Sequence, residues 1–150
     1  MRGGTFRFDD SLIAEAKSPV DAADAERLKS EGNSFFKGKN YQKAIDSYSS
    51  ALKKQGNSAV IWSNRSACYL AMGNAEAALF DAEVCRRLDP KWPKGCFRLA
   101  SARLALKFYE DAAVAAFEGC KLDDSNQELK DLLKKAVALG QEEHRGKNKS

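Results

Sequence analysis

Residues 62–78 read WSNRSACYLAMGNAEAA, and two of their small side chains, Ser66 and Ala78, recur along the chain at a fixed step. Moving 34 residues either way from Ser66 meets Gly32 and Ala100, and the same step from Ala78 meets Ala44 and Ala112. It also joins Ala51 with Cys85 and Gly119, Phe36 with Leu70 and Leu104, and Tyr41 with Ala75 and Tyr109. Small residues return where small is required and larger apolar ones where bulk is required. A fixed period of this length is the signature of a repeat architecture, in which one supersecondary unit stacks on the next.

Each unit has the same internal grammar, and three of them fill residues 25–58, 59–92 and 93–126. In the second, the pattern predicts helices over 62–72 and 75–88 with a turn at Gly73-Asn74. The first turns at Gly38-Lys-Asn and resumes at Tyr41; the third has helices over 94–106 and 109–122 with a turn at Lys107-Phe108. Gly and Asn tolerate the left-handed backbone that ends a helix, which accounts for the first two turns. Asp89-Pro90 closes the second unit, since proline cannot continue a helix. Two antiparallel helices approach closely only where neither carries bulk, hence the small residues at Gly32, Ala44 and their equivalents. Tyr41, Tyr48, Trp62 and Tyr69 are expected to fill the space between neighbouring repeats.

Downstream, residues 127–140 carry apolar side chains at 129, 132, 133, 136 and 137, a helical stripe with a charged opposite face. A stacked array needs such a helix to cover its last apolar surface. Gly140 is expected to end it, leaving residues 144–150 as a frayed basic tail, so that the repeat domain spans 21–143. Residues 1–20 lie outside the period, with Pro19 between them and the repeats, and read as a linker or flexible arm.

Composition narrows the function. A hydrophobic share of 43% and a charged share of 31% describe a globular chain in 150 residues, one domain by size. No segment has the apolar length of a membrane span and the N-terminus lacks a secretory pattern. Cys68, Cys85, Cys96 and Cys120 form no Cys-x-x-Cys pair and the single histidine, His144, lies in the tail, so neither a zinc ligand set nor a Cys/His catalytic pair is suggested. Without a phosphate-binding glycine loop either, the chain reads as a non-enzyme with no cofactor and no metal. Four small apolar thiols suit the cytoplasm, or the nucleus. The net charge of +4 is mild, and no aromatic-basic or zinc-finger motif supports nucleic-acid binding.

The 34-residue step, Gly32-Asn33, the segment Asn64-Arg-Ser-Ala and the Asp89-Pro90 close together resemble the tetratricopeptide-repeat (TPR) family over residues 22–143. The resemblance implies an all-α fold of three helix-turn-helix repeats plus a capping helix, wound as a right-handed superhelical solenoid and monomeric. It is strongest to the co-chaperones with a carboxylate clamp, such as the Hsp-organising protein, the TPR immunophilins and protein phosphatase five. The segment Lys91-Trp-Pro-Lys-Gly-Cys-Phe-Arg is also similar to the TPR segment of ankyrin-repeat/TPR proteins. In clamp-type members two lysines, two asparagines and an arginine line the concave groove. The resemblance places these on Lys29, Asn33, Asn64, Lys94 and Arg98, and implies a ligand ending Glu-Glu-Val-Asp, the tail of heat-shock protein 70 and 90 chaperones.

Spacing agrees with that placement. Lys29 and Asn33 are four apart, as are Lys94 and Arg98, so each pair shares one face of a first helix. Lys94 and Arg98 are expected to face the groove, largely solvated. Lysine and arginine supply charge-assisted hydrogen bonds, and asparagine amides add donors without more repulsive charge. Capture of a terminal carboxylate is an established recognition mode. Arg65, next to Asn64, reads as a structural ion-pair partner. The competing reading is a TPR scaffold that binds an internal segment of a non-chaperone partner and leaves these five residues unused.

Overall fold

Short polar side chains start five of the helices. Ser18, Asn40, Ser58, Asn74 and Asn126 each accept a backbone N–H three residues on, at 3.1–3.4 Å, which satisfies one of the donors that a helix start leaves orphaned. Proline at the first position opens two helices, at Pro19 and Pro93, where its missing N–H costs nothing. The computed structural model describes residues 9–149, with side chains to Lys147. Its helices are α1 (Pro19–Lys37), α2 (Tyr41–Lys54), α3 (Ala59–Ala71), α4 (Ala75–Leu88), α5 (Pro93–Ala105), α6 (Tyr109–Leu122) and α7 (Gln127–Lys149), preceded by a 3-10 turn at Asp10–Ile13. No strand occurs among the described residues.

The antiparallel pairs α1/α2, α3/α4 and α5/α6 are the three repeats. Alternate odd helices also touch, α1 with α3, α3 with α5 and α5 with α7, so the odd helices form one continuous wall. The positions picked out by the 34-residue step are where the pairs meet. Ala44, Ala51, Ala78, Cys85, Ala100 and Ala112 have no exposed surface. A Cβ on Gly32 would lie 2.6 Å from the Tyr48 ring, so only glycine admits that ring, which is fully buried. Trp62, also buried, donates its indole N–H to the Gly56 carbonyl at 2.7 Å. One apolar cluster joins the first two repeats around Tyr48, Trp62 and Val84. A second joins Ala82, Leu99, Ala100 and Ala115 to Leu132 and Leu133 of α7. Leu129 of α7 is fully buried against the Gly119 position; in the predicted stripe only Val137 remains exposed.

Three details depart from expectation. The left-handed residue of the first turn is Lys39 (φ 59°), while Gly38, one residue earlier, has φ −81°. Glycine therefore accounts for the turn at Gly73 (φ 82°) alone, and the third turn uses Lys107 (φ 66°). Helix α7 does not end at Gly140 but continues to Lys149. An interior glycine costs only about 1 kcal/mol, and Gly140 packs against the Tyr109 side chain. The arm is docked through Leu12, Ile13 and Ala14. Ile13 packs against the first cluster, and the Gly56 N–H donates to the Ala14 carbonyl at 2.8 Å. Pro19 begins α1 and does not separate the arm from it. Residues 1–8 of the arm and Ser150 of the tail lie outside the described residues.

Candidate functional site: a cationic groove on the odd-helix wall

The polar residues of the wall come from its first three helices, α1, α3 and α5. Asn33 on α1 and Asn64 on α3 meet directly, the Asn64 amide donating to Asn33 Oδ1 at 3.2 Å. The Tyr48 hydroxyl donates to the same oxygen at 2.5 Å. Burial pushes the Tyr48 phenol up to about 12, with Cys68 adding to the rise and Asn64 opposing it, so Tyr48 remains a donor at neutral pH. With both donors on its oxygen, the Asn33 amide is held in one orientation, its acceptor committed and its NH2 group the donor end.

Arg98 on α5 joins the pair through α3. Its Nε donates to Ser63 Oγ at 3.1 Å, and Ser63, the neighbour of Asn64, has no exposed surface. Burial lowers the guanidinium pKa, against the opposing pull of Cys85, Cys68 and Glu128; it stays charged at neutral pH. The expectation that Arg98 is largely solvated is therefore corrected: it is half-buried and anchored. Lys94, one turn earlier, is exposed. Both cations lie 5.6 Å from the centre of the Phe97 ring. Lys29, one turn before Asn33, pairs with Glu26 at 2.9 Å and keeps 26% of its side chain exposed.

The structure thus brings Asn33 and Asn64 into contact and ties Arg98 to the same stretch of α3, with Lys29 and Lys94 one turn upstream on α1 and α5. Arg65 does something else. Its Nε and Nη2 grip both oxygens of buried Asp81 at 2.8 Å, and its Nη1 reaches Ser49 at 3.1 Å. It also stacks on Trp62, 4.9 Å from the ring centre. Burial raises the Asp81 pKa while the guanidinium pulls it back; the group ties α2, α3 and α4 together. Sequence reasoning missed two positioning residues, Tyr48 and Ser63. Tyr48 carried only a core signal, and Ser63 none beyond its adjacency to Asn64.

Known proteins share this fold. The sequence family described as the TPR repeats of BSK1-like serine/threonine-protein kinases matches residues 15–100. Hsp70-Hsp90 organizing protein 3 of Arabidopsis thaliana is 37% identical over 123 residues, 82% of this chain. The chain spans 22% of that relative's length. The first TPR of Spaghetti (RPAP3), solved bound to the HSP90 peptide SRMEEVD, superposes with a TM-score of 0.76 at 27% identity, covering 78% of this chain and 93% of its own. The second TPR domain of human RPAP3, solved with the HSP70 peptide SGPTIEEVD, gives 0.72 at 26% identity, covering 79% and 96%. The chain belongs to the TPR-repeat family of BSK1-like kinases and is a TPR domain related to the carboxylate-clamp co-chaperones of the Hsp70-Hsp90 organizing protein type.

Proposed function

We propose that this domain is a non-catalytic docking module that captures the C-terminal Glu-Glu-Val-Asp tail of heat-shock protein 70 and 90 chaperones, serving as a co-chaperone or adaptor. In this reading Lys29, Asn33, Asn64, Lys94 and Arg98 are the carboxylate clamp. The observation that carries it is the Asn64–Asn33 contact with Arg98 anchored beside it through Ser63. Two amide groups and a guanidinium are held in place before any ligand arrives, so little ordering cost remains on binding. A terminal aspartate brings two carboxylates within a few ångströms of each other, and each charge-assisted contact contributes roughly 1.5–3 kcal/mol. The peptide complexes of the two RPAP3 domains support the same ligand class. Four free thiols suit the cytoplasm or nucleus.

The test is a titration with a tail peptide in free-acid and C-terminally amidated forms. Amidation removes the terminal negative charge, replaces one carboxylate oxygen by an NH2 donor and leaves every side chain intact. The affinity is expected to fall by at least about tenfold, or roughly 1.4 kcal/mol. Rising salt should weaken the free acid, because the contacts are ionic. Equal binding of the two forms would instead favour a scaffold for an internal segment of another partner.

A further inference from the structure

The groove wall continues past the clamp, and its character changes sign there. Between the start of α5 and the start of α7 lies a cavity of about 260 Å³ whose lining includes Trp92, Lys94, Phe97, Asp123, Asn126 and Glu128. It shares Lys94 with the clamp, so it is a continuation of the same groove. Its far side is acidic. Glu128 is exposed and close enough to Arg98 to raise that group's pKa. Asp123 accepts from Ser125 through Oδ1 alone, at 2.8 Å from the hydroxyl, which leaves Oδ2. Asn126 Oδ1 is committed to the Leu129 N–H. Aromatic faces beside carboxylates are the surroundings that suit a guanidinium, which stacks and pairs at once.

The reach is consistent. A terminal carboxylate held at Asn33 and Asn64 sits between α1 and α3, and α1 is the first helix of the wall. A ligand that stays on the wall therefore runs toward α5 and α7. Neighbouring helix axes lie about 8–10 Å apart, so the cavity between α5 and α7 is two spacings away, roughly 16–20 Å. At ~3.3 Å per extended residue that distance is five or six residues. In SRMEEVD the arginine stands five residues before the terminal aspartate; SGPTIEEVD has threonine there.

Resting on the clamp reading, we infer that the Trp92–Phe97–Asp123–Glu128 cavity is a specificity subsite for a basic residue, arginine above all, about five residues upstream of the ligand's terminal carboxylate. The domain accordingly favours acidic tails that carry such a residue over those that do not.

The test uses SRMEEVD and the same peptide with alanine in place of arginine, titrated against the unaltered domain and against Glu128→Gln. Glu128 is exposed, and its neutral isostere leaves the fold alone. On the unaltered domain the arginine peptide should bind about threefold tighter or better, the scale of an exposed ion pair. In Glu128→Gln that preference should shrink, and in Glu128→Lys it should vanish or reverse. Equal affinity of the two peptides for the unaltered domain, or a preference unchanged in both variants, overturns the inference. Failure of the clamp itself has a different signature, namely that amidated and free-acid SRMEEVD bind alike.

Discussion

Lys94 and Arg98 occupy consecutive turns of α5, yet their environments separate what their removal should do. Lys94 is exposed, with its ammonium over the Phe97 ring, so Lys94→Ala should leave the melting temperature unchanged. Its affinity for a chaperone tail peptide should fall roughly ten- to a hundredfold, the loss of one charge-assisted contact. Arg98→Ala should cost similar affinity and also stability, because it strips buried Ser63 of its partner; an unsatisfied buried hydroxyl costs about 1–3 kcal/mol. Calorimetric titration and thermal melts on the two variants check this, and unchanged affinity in both would remove them from the site. The five candidate groove residues were legible by resemblance to clamp-type TPR domains, and the 34-residue step adds only that Asn64 and Arg98 hold equivalent positions of successive first helices. Their support was not legible. The Tyr48–Asn33 and Ser63–Arg98 contacts cross between helices 15 and 35 residues apart in sequence, and no periodicity specifies which polar atom meets which.

At the scale of the element, the three intra-repeat turns are one structure written three ways. In each, the second residue after the helix end donates to a carbonyl three residues back and the next donates five residues back: Lys39 to Phe36 and Asn40 to Phe35, then Gly73 to Leu70 and Asn74 to Tyr69, then Lys107 to Leu104 and Phe108 to Arg103, all at 2.9–3.0 Å. This pattern demands a left-handed residue at its fifth position. The turns were legible as turns because Gly, Asn and the restart at Tyr41 or Tyr109 mark them. Which residue turns left was not, because the hydrogen-bond ladder imposes the conformation even on lysine, at about 1–2 kcal/mol. Lys107→Gly should relieve most of that strain, offset in part by glycine's freedom in the unfolded chain, and raise the unfolding free energy by about 0.5–1 kcal/mol. Gly73→Ala, which meets no atom within 4 Å, should lower it by about 1 kcal/mol through backbone strain alone. Urea unfolding of the two variants should therefore move the midpoint in opposite directions; a shift in the same direction would mean that the backbone there is not left-handed.

Across the whole molecule, polar ties bridge the repeats in addition to the apolar clusters. Asn33–Asn64 and Ser63–Arg98 bridge the odd helices, Arg65 joins α2, α3 and α4, and Arg86–Glu118 links α4 to α6 at 2.9 Å. The docked arm adds a further tie, to α2. It escaped the sequence reading because it has no repeat period, and its anchor is a backbone contact at Gly56, where a Cβ would stand 1.9 Å from the Leu12 carbonyl oxygen. Neither of those atoms can yield without moving main chain. Gly56→Ala should therefore expel the arm, break the Gly56 N–H to Ala14 bond and withdraw Ile13 from the core. The loss should be about 1–3 kcal/mol, of the order of burying one partly covered Ile side chain. Hydrogen exchange gives the direct readout. The Gly56 amide should be protected in the unaltered domain, and in Ile13→Ala, which weakens the same docking without a clash, its protection should fall along with stability. Tail-peptide affinity should stay unchanged in both variants, since Ser11 and Leu12 of the described arm border Ser49, Leu52, Trp62 and Arg65 and none of the five clamp residues. A Gly56 amide that exchanges at the unprotected rate in the unaltered domain would mean that the arm is not bound there.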